Sequence, residues 1–167
     1  MEEALRIFLA EFGFQVEQVE RTFARLEERW KKAQGLKGQE IVESMAYWLH
    51  NLYCAFEDTF KLVAGFFENR VGPSERYHIE LLRRMLVGIE GLRPPLLSEE
   101  SFQVLDELRG FRHVFRHAYS YGLEEEKVKE LAARVLDAKE GIMRDIEAVS
   151  YTHLRAHETR HDLVCRL

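Results

Sequence analysis

The amino-acid sequence predicts an all-α protein, an up-and-down bundle of about five helices. Apolar residues recur at steps of three and four positions through most of the 167 residues, which is the spacing of one face of an α-helix. No stretch shows the alternation of apolar and polar residues that is typical of a half-buried strand. The 3 prolines all lie between the periodic stretches, so they mark connections and not helix interiors.

The first predicted helix extends from Met1 to about Lys32 and has a single apolar stripe. The members of this stripe are Leu5, Leu9, Phe12, Val16, Val19, Phe23, Leu26 and Trp30. Gly35 and Gly38 interrupt the pattern and separate it from a second predicted helix, from about Gln39 to Glu68. The second helix has a wider apolar stripe, so we expect it to contact neighbouring helices on more than one side.

A third helix is predicted from Tyr77 to Ile89, after turn residues at Gly72-Pro73. A stiff connector follows, because Gly91 to Leu97 contains two consecutive prolines. Its end leads into a fourth helix.

The start of the fourth helix is predicted at Ser98, which is followed by two glutamates. A serine hydroxyl can accept a backbone N–H at a helix start, and acidic residues favour the positive end of the helix dipole. This helix is expected to run to about Tyr121, where Gly122 provides a stop. A fifth helix is predicted from Glu124 to Glu147. The five helices place one domain in residues 1–147, and their apolar stripes are core, with no cofactor expected.

Composition and charge restrict the class of protein. No apolar stretch approaches the roughly 18 residues of a membrane span, and Met1 leads into an acidic amphipathic segment. The 2 cysteines, Cys54 and Cys165, provide no disulfide framework. We therefore expect a soluble, cytoplasmic protein without a membrane partner. Because the formal net charge is −5, binding to nucleic acid would require a local basic patch.

The C-terminal residues 148–167 are predicted to be an artefactual tail, since they lack both helical and strand periodicity. Back-translated, this segment resembles the DNA of a sequencing adapter. It contains His157-Glu158-Thr159-Arg160-His161, which formally matches a zinc metalloprotease motif. That chemistry requires two histidines and a glutamate on a packed helix beside a cleft. No apolar face supports such a helix here, so no metal site is expected.

A short basic segment of the fourth helix carries the candidate site. Arg112 is followed after four residues by His117 and, one residue further, by Tyr119. Further basic residues in this segment are Arg109, His113 and Arg116. One interpretation is a solvated helix face, whose arginines pair with Asp106, Glu107 or Glu124 to Glu126.

The other interpretation is RNA chemistry. RNA can be cleaved without metal when its 2′-hydroxyl attacks the adjacent phosphate, which requires a base, an acid and a cation. Histidine titrates near neutral pH, and the arginine fork matches two phosphate oxygens. Five residues correspond to roughly 140° of rotation, so Arg112 and His117 do not share one face of a straight helix. Convergence would require a distorted helix end or, more naturally, a twofold dimer that combines both copies in one cleft.

The ordered set of motifs resembles the HepT-like ribonuclease toxins of the HEPN superfamily. Besides the Arg112, His117 and Tyr119 pattern, the similar segments cover most of residues 40–147. These segments are Tyr47 to Tyr53 continuing through Glu57, Phe60 and Lys61, then Tyr77 to Leu82, Arg93-Pro94-Pro95, and Leu105 to Leu108 followed by Phe111-Arg112-His113.

The resemblance implies a homodimeric, metal-independent endoribonuclease that acts as the toxin of a toxin–antitoxin pair on an RNA substrate. It implies that Arg112 binds the scissile phosphate and that His117 transfers protons. It further implies that Tyr119 accepts AMP from an MNT-type nucleotidyltransferase antitoxin. An anionic group beside His117 would repel RNA phosphates. The alternative is a non-catalytic HEPN module whose fourth helix binds a nucleotidyltransferase.

Several residues are candidates for supporting roles. Many relatives have Asn directly after the motif arginine, where this chain has His113, which is either a second proton carrier or merely exposed. Arg109 and Arg116 extend the basic patch. Tyr53 and Glu57 lie one helical turn apart, and either line the same cleft or form a core tyrosine–glutamate pair. His50 and His78 are interpreted as packing or capping residues.

Overall fold

The computed structural model describes residues 2–34, 38–68, 77–117 and 122–148. These residues form six helices and no named strand. The helices are α1 (Glu2–Ala33), α2 (Gln39–Glu68), α3 (Tyr77–Leu86), α4 (Glu99–Arg116), α5 (Glu125–Asp137) and α6 (139–148). The predicted all-α bundle is confirmed. Within the described ranges, no helix combines the length and the apolar character needed to cross a bilayer.

Helix α2 forms the centre of the bundle, because it contacts α1, α3, α4 and α5. Its wide apolar stripe had predicted neighbours on more than one side, and the structure agrees. The core contains large aromatic side chains from α1 and α2 that are at most 2% exposed. They are Phe8, Phe12, Phe23, Tyr53, Phe56 and Phe60. A rigid central helix is a suitable support for side chains that must be held in one orientation.

The connector between α3 and α4 ends α3 earlier than the sequence predicts, at Leu86 instead of Ile89. The backbone amides of Leu96 and Leu97 donate to the carbonyl of Met85, at 2.8 and 3.1 Å. These bonds satisfy a carbonyl that has no partner within the helix. A Cβ on Gly88 would lie 2.9 Å from Pro95 Cδ, so glycine permits the close approach of the two chain segments.

The N-terminus of α4 is fixed to α6 through one carboxylate. Ser98 is the N-cap, as predicted, and its hydroxyl oxygen accepts a hydrogen bond from the Ser101 backbone N–H. Asp145 Oδ2 accepts from the Ser98 backbone N–H at 2.9 Å and from the Ser98 and Ser101 hydroxyls at 2.6 and 2.5 Å. The start of α4 is thereby anchored, which determines where its other end lies.

The ends of the last helices differ from the sequence prediction. Helix α4 ends at Arg116, whereas the sequence predicted about Tyr121. The predicted fifth helix is divided at Ala138, a C-cap residue with φ −81° and ψ −7°. After this break, Lys139 reaches α1 and its Nζ lies 2.7 Å from Glu27 Oε1. Two shorter helices, α5 and α6, therefore take the place of the single fifth helix that the sequence predicts.

Candidate active site

A cleft of about 290 Å³ lies between α3 and the C-terminal half of α4. Its lining residues are His78, Ile79, Arg109, Arg112, His113, Arg116 and His117. The two helices that form it pack directly against each other. Among the described residues, no carboxylate lines this cleft. The cleft therefore concentrates positive charge and imidazole groups in a protein of net charge −5.

Arg112 is half-buried, and its Nη1 donates a hydrogen bond to Nε2 of His78 at 3.0 Å. Its Nε is buried and has no hydrogen-bond partner among the described residues. Because the acceptor of the Nη1 bond is a ring nitrogen and not a carboxylate, this contact orients the guanidinium without neutralising its charge. The charge stays available for an anion.

His78 connects Arg112 to the central helix α2. An arginine can only donate, so His78 Nε2 must accept and the ring proton must be on Nδ1. His78 Nδ1 lies 2.6 Å from Glu57 Oε2, and it therefore donates to that carboxylate. Glu57 Oε1 in turn lies 2.7 Å from Lys61 Nζ. We call these four residues, Lys61, Glu57, His78 and Arg112, the orienting chain.

Glu57 is the anchor of the orienting chain. Its residue surface is only 6% exposed, and this burial acts to raise the pKa of its carboxyl. The hydrogen bond from Lys61 and the proximity of His78 and Lys61 outweigh burial, so the net pKa of Glu57 is lowered. Burial acts to lower the pKa of Lys61, yet its bonds to Glu57 and Asp58 raise it overall. Both groups are therefore charged at neutral pH.

His117 follows the last residue of α4 and is exposed. Its backbone, with φ −109° and ψ 6°, has left the helical conformation. The ring Nδ1 lies 2.8 Å from the backbone carbonyl oxygen of His113. A carbonyl only accepts, so Nδ1 carries the proton and Nε2 of the neutral ring keeps a lone pair. The ring also lies beside that of His113, with 4.5 Å between centroids.

Arg112 and His117 line the same cleft within one chain. The sequence left two explanations for such convergence, a distorted helix end or a dimer. The end of α4 at Arg116 and the non-helical backbone of His117 correspond to the distorted helix end. A second copy is not needed to bring these two side chains to one cleft.

Pairing of the acidic residues argues against a purely solvated helix face. Arg109 does pair with Asp106, with 2.7 Å between Nε and Oδ1. Three other acids of this region bind elsewhere, since Glu107 pairs with Arg134, Glu124 with Lys127 and Glu125 with Lys129, all between 2.6 and 2.8 Å. These acids leave Arg112 and the exposed Arg116 to other partners.

The remaining candidates occupy different places. Tyr53 is buried at 2% exposure and does not line the cleft, and burial, with Glu57 adding to it, raises its pKa. Its partner in the sequence interpretation, Glu57, belongs to the orienting chain. His113 is exposed and lines the cleft. Tyr119 lies outside the described residues.

His50 has the packing role that its helical position predicted. Its ring stacks on that of Phe115, with 4.9 Å between centroids and 24° between planes. Burial, and then the charges of Arg112 and Arg116, lower its pKa. Cys54, whose Sγ lies 3.7 Å from His50 Nε2, has a pKa raised mainly by burial. Both groups are therefore uncharged neighbours of the site.

His78 lines the cleft and contacts Arg112, whereas the sequence predicts only a packing or capping role for it. It is separated from Glu57 by 21 positions and from Arg112 by 34. No spacing rule connects residues at such distances, so only the packing of α3 against α2 and α4 brings them together.

In the described part of the chain, no group of three or more histidine, cysteine, aspartate or glutamate side chains is placed to hold a metal ion. The zinc-protease motif of the tail lies outside the described residues.

Comparison with known proteins identifies one family. A family model described as HepT-like protein matches residues 44–152. The match includes Glu57, His78 and all of α4, and it extends into the first residues of the predicted tail. No curated protein and no solved structure gives a significant match.

Proposed function

Because this chain belongs to the HepT-like family of the HEPN superfamily, we propose that it is a metal-independent endoribonuclease and the toxin of a toxin–antitoxin pair. The observation that supports this most directly is the shared cleft of Arg112 and His117. One residue offers an oriented cation and the other a ring nitrogen with a lone pair. These are the cation and the base that cleavage through the RNA 2′-hydroxyl requires.

In the proposed reaction His117 Nε2 takes the proton of the 2′-hydroxyl, and the 2′-oxygen attacks the adjacent phosphorus. The bond from phosphorus to the 2′-oxygen forms, and the bond to the 5′-oxygen of the next nucleotide breaks. The leaving 5′-oxygen receives a proton from the imidazolium or from water. The products are a 2′,3′-cyclic phosphate and a free 5′-hydroxyl.

Arg112 stabilises the negative charge that develops on the phosphoryl oxygens during this step. A guanidinium stays protonated at any working pH and can donate two parallel hydrogen bonds to phosphate. Because the Arg112 contact with His78 engages a ring nitrogen, that charge is not cancelled in the free protein.

Arg116 and Arg109 supply the attraction for the RNA backbone around the scissile phosphate. Arg116 is exposed at the cleft, and Arg109 lines it while paired with Asp106. A local cluster of arginines raises the concentration of a polyanion even on a protein with net negative charge.

The proposal extends to control of the toxin. An MNT-type nucleotidyltransferase antitoxin would attach AMP to Tyr119, two residues after His117. The added phosphate, on a residue two positions after His117 in the sequence, would repel the phosphates of the RNA backbone. The working form is proposed as a homodimer.

A second candidate function is a non-catalytic module that binds a nucleotidyltransferase through α4. Val114 favours it, since this apolar residue of α4 is 54% exposed. An exposed apolar residue next to charged ones is common at protein interfaces.

The test incubates the full chain with a mixed RNA pool in the presence of excess chelator. Mass spectrometry first shows that the protein carries no AMP. We expect the wild type to cleave and to leave 2′,3′-cyclic phosphate ends. His117→Ala should fold normally and lose cleavage, whereas Arg21→Ala on the exposed face of α1 should cleave like the wild type. If no variant cleaves RNA and the protein binds a nucleotidyltransferase tightly, the nuclease proposal would be wrong and the binding module would be favoured.

A further inference from the structure

We propose that His78 is a positioning residue that holds the Arg112 guanidinium in its working orientation, through a neutral ring protonated on Nδ1. This inference rests on the proposed ribonuclease function. It assigns the orienting chain a role that neither the motif nor the family match specifies.

The directions of the two hydrogen bonds at His78 determine the protonation of its ring. Arg112 Nη1 lies 3.0 Å from His78 Nε2, and Glu57 Oε2 lies 2.6 Å from His78 Nδ1. A guanidinium has only donors and an ionised carboxylate has only acceptors. Only one form of the ring satisfies both neighbours, the neutral one with its proton on Nδ1.

Glu57 is held in a fixed position, and it fixes the His78 ring in turn. Glu57 belongs to α2, the helix that contacts four others, and it is buried and bonded to Lys61 at 2.7 Å. A ring that donates to such a fixed carboxylate is itself fixed. Through the orienting chain, the central helix α2 fixes His78 of α3, and His78 in turn fixes the Arg112 side chain of α4.

The Arg112 side chain needs such a support because it is flexible. An arginine side chain has many rotamers, and ordering it during the reaction would oppose catalysis entropically. Arg112 has a buried Nε without a partner among the described residues, so the Nη1 bond to His78 supplies its orientation on this side. A carboxylate in place of His78 would also orient the arginine, but it would neutralise the charge that the phosphate needs.

Two substitutions separate the two functions of the ring. In His78→Gln the side-chain carbonyl can reach the position of Nε2 and accept from Arg112, while the bond to Glu57 is lost. In His78→Asn the amide nitrogen can take the position of Nδ1 and donate to Glu57, while the acceptor for Arg112 is lost. The pair is matched in polarity and differs in which neighbour it keeps.

We expect His78→Asn to lower kcat for RNA cleavage by roughly tenfold or more with little change in KM, because a misplaced cation stabilises the transition state poorly. His78→Gln should stay within about threefold of the wild type. Thermal unfolding of both variants provides the control. Equal losses of kcat in the two variants, or losses that follow their Tm, would overturn the positioning role and leave the nuclease itself standing.

A measurement independent of activity is ¹⁵N NMR of the histidine rings, with the His78 signals identified by their loss in His78→Asn. We expect a protonated Nδ1 and an unprotonated Nε2 in the wild type, and a changed Nε2 shift in Arg112→Ala. A wild-type ring protonated on Nε2 would overturn the inference whether or not RNA is cleaved. A wild-type protein with the expected ring but no cleavage would overturn the proposed function, and the positioning role in catalysis with it.

Discussion

Arg93 Nη2 lies 2.6 Å from Glu68 Oε1, and this ion pair joins the C-terminal end of α2 to the connector between α3 and α4. The Arg93 side chain is only 2% exposed, and it also donates to the carbonyl oxygens of Arg84 and Val87 at the end of α3. A single guanidinium therefore satisfies the end of one helix and holds it against another. The position of α3, and with it His78, depends on this contact.

Removal of this guanidinium should destabilise the fold. In Arg93→Met, we expect the free energy of unfolding to fall by about 3 kcal/mol, because a largely buried carboxylate and helix-end carbonyls lose their partner. Chemical denaturation measures this change. Arg25→Met is the control, since its solvent-exposed contact with Glu28 should contribute little to the free energy of unfolding. Equal effects of the two substitutions would contradict a structural role for Arg93.

The carboxylate of Asp145 should stabilise the first turn of α4. In Asp145→Ala, three hydrogen bonds to Ser98 and Ser101 are lost, and we expect a loss of roughly 2 kcal/mol. Hydrogen exchange should accelerate in the first turn of α4 before it does in α1. Uniform acceleration across the bundle would show that Asp145 does not act at this helix start.

Arg116 should contribute to RNA affinity by charge alone. In Arg116→Ala, we expect weaker binding and a slope of log affinity against log salt reduced by roughly 0.7, the value for one phosphate contact with a single strand. The rate of cleavage at saturating RNA should change little, because Arg116 is not part of the orienting chain. Titration at several salt concentrations with His117→Ala as the background measures binding without cleavage. An unchanged slope would place Arg116 outside the RNA interface.

Glu57 should make stability depend on pH in the acid range. Its folded-state pKa lies below the ordinary value of 4.5, so the folded protein binds fewer protons than the unfolded chain near that pH. The carboxylate therefore contributes stability above pH 4.5, and this contribution is lost as the pH falls through the lowered pKa. We expect the free energy of unfolding of wild type minus that of Glu57→Gln to be largest near neutral pH and to shrink below 4.5. A difference that does not vary with pH would contradict this assignment.

Several features could be predicted from the sequence, because each depends on residues a few positions apart. They are the helical periodicity, the N-cap at Ser98, the basic segment of α4 and the individual motifs of the HepT-like resemblance. The end of α4 at Arg116 and the division at Ala138 could not be predicted, because the apolar periodicity and the stop at Gly122 were also compatible with longer helices.

The sequence by itself determined which stretches are helical and which residue types the fourth helix carries, since backbone hydrogen bonding and apolar periodicity act within a few positions. Tertiary structure decided that His78 contacts Arg112, that Glu57 accepts from the His78 ring, and that Arg93 pairs with Glu68 at the end of α2. These contacts join residues 21 to 34 positions apart. Their partners are selected by how whole helices pack, which depends on the shape of the shared core and not on any local spacing.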